Sequence, residues 1–179
     1  MAIRALFPAA VLGVAGLVSP SSGGDTVVVY VYNFEFSINP PGEPVEDAVI
    51  RQGDTIEWQW VHSLHNVVAS SGQAEFFQSP INNAGATFSH TFTNVGTFGY
   101  YCSVHGFDDG AGGFFGMGGY VTVLCLADFN GDTTVNTLDF LAFLNAYTSG
   151  DPKADFNGDT VINTLDVLAF LNAFTTPCP

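Results

Sequence analysis

The chain has 179 residues, with 17 acidic against three basic side chains and a net charge of −14. Apolar residues make up 47% and charged ones 11%, a globular balance, with length for one ordinary domain and a small second one. So few cations argue against nucleic acid, whose phosphates need lysine and arginine; the acidity suits metal cations and basic partners instead.

The N-terminus reads as a targeting segment. Met1-Ala2-Ile3-Arg4 carries one positive charge, Ala5 to Val18 is a short apolar run interrupted by Pro8, and Ser19 to Gly24 supplies small residues for cleavage. This is the layout of a secretory signal peptide over residues 1–24. A membrane span needs about 20 apolar residues, more than this run or any later one offers. The mature chain is therefore expected to be exported, as a secreted, periplasmic or cell-surface protein.

Thr26 to Phe36, TVVVYVYNFEF, is rich in β-branched and aromatic residues and reads as a strand. Asn39-Pro40-Pro41-Gly42 breaks it, and Val45 to Ile50 is a second, short strand. After a turn at Gly53-Asp54, Thr55 to Val61 alternates cleanly, with Ile56, Trp58 and Trp60 on one face as core anchors. Ser63 to Val67 is a polar turn holding His65. Gly72 to Gly85 reads as loop, with room for a short helical turn. Ala86–Thr93 and Gly96–Ser103 read as strands flanking a turn at Asn94-Val95-Gly96. His90, in the first of them, is read as facing away from the core, and His62 as a surface residue. Tyr120 to Leu124 is the last strand. Seven or eight short strands separated by turns describe a mainly β chain folded as a β-sandwich.

The chemistry concentrates in YCSVHGFDDGAGGFFGMGGYVTV, Tyr101 to Val123. Cys102, His105 and Met117 read as lying on a single loop between two strands, where three donors can converge, and His65 can join them from its turn. Two imidazoles, a thiolate and a thioether suit copper: the sulfur donors stabilise Cu(I), and imidazole serves both oxidation states. The other cysteines, Cys125 and Cys178, bracket the C-terminal segment as if to staple it. A disulfide closing about 50 residues would contribute roughly 4 kcal/mol. The alternative is a free or intermolecular thiol at Cys178.

Five pieces together resemble the plastocyanin and azurin class of cupredoxins. They are Gly53-Asp54-Thr55 before the tryptophan strand, His65-Asn66-Val67, Gly96-Thr97-Phe98 leading to Tyr101-Cys102, Cys102-x-x-His105, and Met117-x-Gly119-x-Val121-x-Val123. For residues 25–124 the resemblance implies Greek-key topology and one type 1 copper held by His65, Cys102, His105 and axial Met117. It implies an electron carrier, not an enzyme, with a redox protein as partner. An extracytoplasmic copper carrier or storage protein with the same ligands is the alternative. There is one departure. Eleven residues separate His105 from Met117, more than plastocyanins have. The excess is glycine-rich and carries Phe107, Phe114 and Phe115, which either fold back over the copper site or form an apolar patch for docking the partner.

After Leu124 the character changes. Residues 127–148, ADFNGDTTVNTLDFLAFLNAYT, and 154–175, ADFNGDTVINTLDVLAFLNAFT, agree at 18 of 22 positions, an internal repeat of one supersecondary unit. Each copy couples an acidic loop to an amphipathic helix. Leu138, Leu141 and Leu144 in the first helix, joined by Phe140 and Tyr147, and Leu165, Leu168 and Leu171 in the second, joined by Val167 and Phe174, are expected to pack the two copies on each other. Asp128, Asn130, Asp132, Asn136 and Asp139 occupy positions 1, 3, 5, 9 and 12 of an EF-hand loop, with the Thr134 carbonyl at position 7. Asp155, Asn157, Asp159, Asn163 and Asp166, with the Val161 carbonyl, repeat the frame. The repeats resemble a dockerin, which implies two calcium ions over residues 125–179 and a cohesin-like receptor for attaching the carrier to a surface or complex. Position 6, normally glycine, is Thr133 and Thr160. Either these loops carry the strain of a positive φ, about 1–2 kcal/mol for a β-branched residue, or the turn shifts toward Gly131 and Gly158.

Overall fold

The computed structural model describes residues 24–176 and Cys178; apart from Gly24, the expected leader lies outside the described residues. Eight strands precede two helices: β1 (Thr26–Tyr32), β2 (Glu35–Ser37), β3 (Ala48–Arg51), β4 (Thr55–Trp60), β5 (Val68–Ala69), β6 (Thr87–Thr91), β7 (Gly96–Asp108), β8 (Phe114–Leu124), α1 (Thr137–Ser149) and α2 (Thr164–Thr175). The strands form two four-stranded sheets, ordered β2-β1-β4-β6 and β3-β8-β7-β5. Two pairings are parallel, β1 with β4 and β3 with β8.

The alternation in β4 does what its pattern demands. Ile56, Trp58 and Trp60 are buried, and they meet Ile50, Phe98, Tyr100, Val121 and Val123 of the other sheet in one shared core. The chain is thus a two-sheet β-sandwich. Trp58 stacks on Phe77 and Phe88, with centroids 5.3 and 5.6 Å away, and meets Tyr100 edge-on at 5.3 Å.

Two expectations are corrected here. The run Thr26–Phe36 is not one strand: Asn33 and Phe34 take φ 44° and 66°, and the chain folds into a two-residue hairpin with Tyr32 opposite Glu35. Apolar composition hid that turn. β6 and β7 flank the Asn94-Val95-Gly96 turn as expected; β6 pairs with β4 and β7 with β8 and β5, so the segment between them crosses from sheet to sheet. His90 shares a face with Phe88 and Phe92 because side chains two apart on a strand point the same way. It packs on Phe77 and Phe92, with Nε2 3.0 Å from the Glu75 carboxylate. Gly72–Gly85 is loop as expected, with isolated bridges and no helical turn.

In the C-terminal part the capping pattern works as written. Asn136 and Asn163 cap α1 and α2, and Asp139 and Asp166 complete the capping boxes. Phe140, Leu144, Tyr147, Val167 and Phe174 pack inward as expected, but the centre of the packing and four of the leucines differ from expectation. Phe143 and Phe170 stack at 4.4 Å with nearly parallel rings and are fully buried, joined by Phe129, Phe140, Phe156 and Phe174. Leu138, Leu141, Leu165 and Leu168 are more than half exposed. Each helix carries two apolar stripes, and the rings, with the larger area to bury, take the inside.

Two ties join this part to the sandwich. Cys125, just after β8, is disulfide-bonded to Cys178, with Cα atoms 6.1 Å apart. Arg51 of β3 donates from Nη2 to the carbonyls of Asp128 and Phe129, each at 3.2 Å, and lies over the Phe129 ring.

Candidate metal centre

The site begins with a mismatch between two strands. β7 and β8 pair Tyr101 with Gly118, lose register, and resume at Gly106 with Gly116. Four residues, Cys102 to His105, thus stand opposite one, Met117. A bulge of this kind bends the strand and re-aims its side chains. Close approach is possible because two glycines face each other: a Cβ on Gly106 would stand 2.6 Å from the Phe115 carbonyl oxygen, and Gly116 has φ 85°. The single donor-bearing loop expected from the sequence is therefore replaced by a long hairpin. Its turn lies beyond the donors, at residues 109–113, where Asp109 Oδ1 accepts from the N–H groups of Ala111 and Gly113.

His65 arrives from the segment between β4 and β5. Its carbonyl accepts from Trp60 Nε1 and from the Asn82 N–H, both at 2.8 Å. Next to it, Asn66 Oδ1 accepts from the Ser103 N–H at 2.8 Å, and Asn66 Nδ2 donates to Ser103 Oγ at 2.9 Å. This pins the His65 segment directly to the Cys102–His105 bulge.

The result is a tight trio. His65 Nδ1 lies 3.1 Å from His105 Nδ1, and Cys102 Sγ lies 3.5 Å from His105 Nδ1 and 3.8 Å from His65 Nδ1. Donors each about 2.0–2.3 Å from one ion stand about 3–4 Å apart, so the spacing fits a single metal. Cys102 is a free, fully buried thiol, His65 is buried, and His105 is half-buried. Burial, then the neighbouring His105 and His62, lowers the His65 pKa and favours the neutral imidazole that metals bind. Met117 is 3% exposed in the same core cluster as Cys102.

The three phenylalanines separate. Phe107 and Phe115 stack across the hairpin at 5.1 Å and are exposed. Phe114 instead packs against Tyr120 at 5.0 Å, over the space left by Gly118. One residue escaped the sequence reading altogether. Phe34, in the β1–β2 turn, lies edge-on to His105 at 4.6 Å and to His65 at 5.9 Å. No sequence signal pointed to it.

His62 is exposed, and its Nδ1 accepts from the Asn33 N–H at 3.2 Å.

In the first acidic loop, carboxylate oxygens of Asp128, Asp132 and Asp139 lie within 4.8 Å of one another. Asp128 accepts from the N–H groups of Gly131, Asp132 and Thr133, and Asp139 accepts from those of Asn130 and Asn136. Asn130 Oδ1 accepts from Asp132 N, and Asn136 Nδ2 donates to the Thr134 carbonyl. Burial pushes the Asp128 carboxyl above its ordinary range, the N–H groups of Thr133 and Gly131 oppose this, and the charges of Asp139 and Asp132 add to it. The second loop repeats the backbone bonds to Asp159, Asp166 and the two asparagines, but Asp155 accepts only from the Thr160 N–H, and the loop's carboxylates do not form a cluster like that of the first loop. Asp155 Oδ1 is buried without a hydrogen-bond partner. Thr133 and Thr160 carry the positive φ themselves, 71° and 70°.

No family model and no curated protein matches the chain. Solved structures similar to it include the amicyanin of Paracoccus versutus, at 22% identity over 58% of this chain and 89% of that one, with a TM-score of 0.42. A reduced Cu(I) amicyanin variant at pH 4 matches at 26% identity over 55% and 81%, with a TM-score of 0.41. An oxidised amicyanin variant matches at 23% over 59% and 96%, also at 0.41. No helix among the described residues is long and apolar enough to cross a membrane.

Proposed function

We propose that residues 25–124 form a cupredoxin-type electron carrier, with His65, Cys102 and His105 holding one copper ion and Met117 as the weak axial donor. The observation that carries this reading is the convergence of two imidazoles and a free buried thiol, 3.1–3.8 Å apart, from segments about 40 residues apart in sequence. Copper in such a donor set supplies one reversible electron. The chain's own contribution is to keep the donors still. Trp60 and Asn82 hold the His65 backbone, Asn66 ties it to the bulge, and the strand pairing on either side fixes Cys102 and His105. Donors held this way need little rearrangement between oxidation states.

The partner is a redox protein. The exposed pair Phe107 and Phe115 offers it an apolar contact, and the net charge of −14 steers a basic partner, an effect that weakens with salt. The leader over residues 1–24 and the Cys125–Cys178 disulfide suit an exported protein.

Residues 125–179 we read as a dockerin-like module whose two loops would hold calcium. The clustered carboxylates of Asp128, Asp132 and Asp139 and the unpartnered buried oxygen of Asp155 both favour a cation. A cohesin-like receptor would then anchor the carrier.

The copper reading is tested by adding Cu(II) to the mature protein. An intense visible thiolate-to-copper band that bleaches on reduction is expected, and Cys102→Ser should abolish it. A Cys102→Ser protein that remains fully blue overturns the assignment. Rapid transfer of copper to an apo acceptor would favour a copper carrier or storage protein instead. Isothermal titration should find two calcium sites, lost in Asp128→Ala with Asp155→Ala.

A further inference from the structure

The hairpin joining β1 and β2 leaves two central residues, Asn33 and Phe34, at φ 44° and 66°. A turn with both central residues at positive φ favours Asn-Gly. Asn33 obeys that preference and Phe34 does not: a bulky aromatic occupies a position where glycine would be unstrained. Burial does not compensate, because Phe34 is 60% exposed. What the ring has instead is contact with both imidazoles of the candidate metal centre, edge-on at 4.6 Å to His105 and 5.9 Å to His65. The hairpin is also tied to the strand that leads into His65. The Val61 and His62 N–H groups donate to the Val31 carbonyl at 3.0 and 3.2 Å, and the Asn33 N–H donates to His62 Nδ1.

Of the two imidazoles, His65 is buried and His105 is only half-buried. His105 is therefore the one that water or a small reagent would reach first, and Phe34 stands against it. We propose that Phe34 is a fixed cover on the metal centre, a positioning residue that holds the His105 ring plane and blocks its outer side from solvent. A strained position occupied by a ring on the ligands is the pattern expected where local backbone strain serves a site. The proposal rests on His65 and His105 being metal ligands.

Phe34→Gly removes the ring and suits the left-handed backbone, so the turn should persist. Phe34→Asn, which also tolerates that backbone, is the second variant should glycine loosen the hairpin. The first readout needs no metal. Apo protein is treated with diethyl pyrocarbonate and labelling of each histidine is followed by mass spectrometry, with His90 as internal reference because it lies in a separate aromatic pocket. Both variants should raise the His105 labelling rate about two- to tenfold relative to His90, the range that one aromatic contact corresponds to. In the copper-loaded protein, water-proton relaxation by Cu(II) should rise in the same variants. Unchanged His105 labelling in folded variants of a copper-binding chain overturns the cover alone. A wild-type chain that takes up no copper overturns the ligand reading beneath it, whatever the labelling shows.

Discussion

Replacing Thr133 and Thr160 together with glycine separates the strain in the two acidic loops from their chemistry. Both threonines hold φ near 70°, which costs a β-branched residue about 1–2 kcal/mol. Glycine removes that cost but loses about 0.5–1 kcal/mol of extra conformational entropy on folding. The net gain is about 0.5–1 kcal/mol per site, or about 1–2 kcal/mol for the pair. Little else is at stake. Both threonines are exposed, and the bonds they give, to Asp128 Oδ2 and Asp155 Oδ2 at 2.8 Å, come from backbone N–H groups that glycine keeps. Thermal melts in excess chelator should therefore rise by about 2–8 °C, at about 2–4 °C per kcal/mol for a folded chain of about 150 residues. Calcium titration then locates the strain. If it is present with and without the ion, affinity stays put. If the apo loops relax it, affinity rises about tenfold for each 1.4 kcal/mol recovered. A double variant that melts no higher than wild type and binds calcium no better refutes the strain argument.

Met117→Leu should keep the blue colour and raise the reduction potential, because a donor that stabilises Cu(II) is lost; an unmoved potential and spectrum would remove Met117 from the axial role. Phe107→Ala with Phe115→Ala should slow electron transfer to the native partner and leave the copper spectrum intact, since the two rings are exposed and stack on each other; an unchanged rate argues against docking there. Glu75→Gln should cost about 1–3 kcal/mol at pH 7, measured by urea unfolding. Burial works to raise the Glu75 pKa, but bonds from His90, Asn94 and Thr93 hold it below the ordinary range. Its stabilisation is thus present above the unfolded value and lost as pH falls through the folded one, so wild type and variant should converge in acid.

What was legible in the sequence was whatever depended on local pattern. The alternation of Ile56, Trp58 and Trp60 gave a buried face, and the spacing of Asp128 to Asp139 gave a capped, wrapped loop. Cys102 and His105, three residues apart, do meet His65. The misses have a common cause: they are set by contacts between distant segments. Whether Leu141 or Phe143 faces inward depends on what the other helix offers, and the neighbouring Phe170 decided it. From sequence the donors lie between a strand ending at Tyr101 and a segment re-entering a strand after Met117, which reads as one loop with glycines at 106, 110, 112, 113 and 116. Two of them instead allow β7 and β8 to run close together past the bulge. Phe34 had no signal at all, because its partners lie about 30 and 70 residues further along the chain.

Backbone strain ties the two halves of the chain to one principle. Among the described residues, five non-glycines have positive φ: Asn33, Phe34, Leu64, Thr133 and Thr160. Phe34 touches both imidazoles, Asn33 precedes it and Leu64 adjoins His65, while Thr133 and Thr160 sit at the same position of the two acidic loops. Strain distributed by chance would be scattered over the turns at Gly42, Gly53, Gly72 and Gly85, and there the chain uses glycine and avoids it. Strained residues persist only when surrounding structure over-determines them. Here the surroundings are specific: the parallel β1–β4 ladder and the bonds to Val31 hold the first hairpin. Bonds from the loop backbone to Asp128, Asp139, Asp155 and Asp166 hold the two loops. The same bonds that fix the strain also aim the donors, so relaxing one without moving the other requires the glycine substitutions described above, which leave every backbone donor in place.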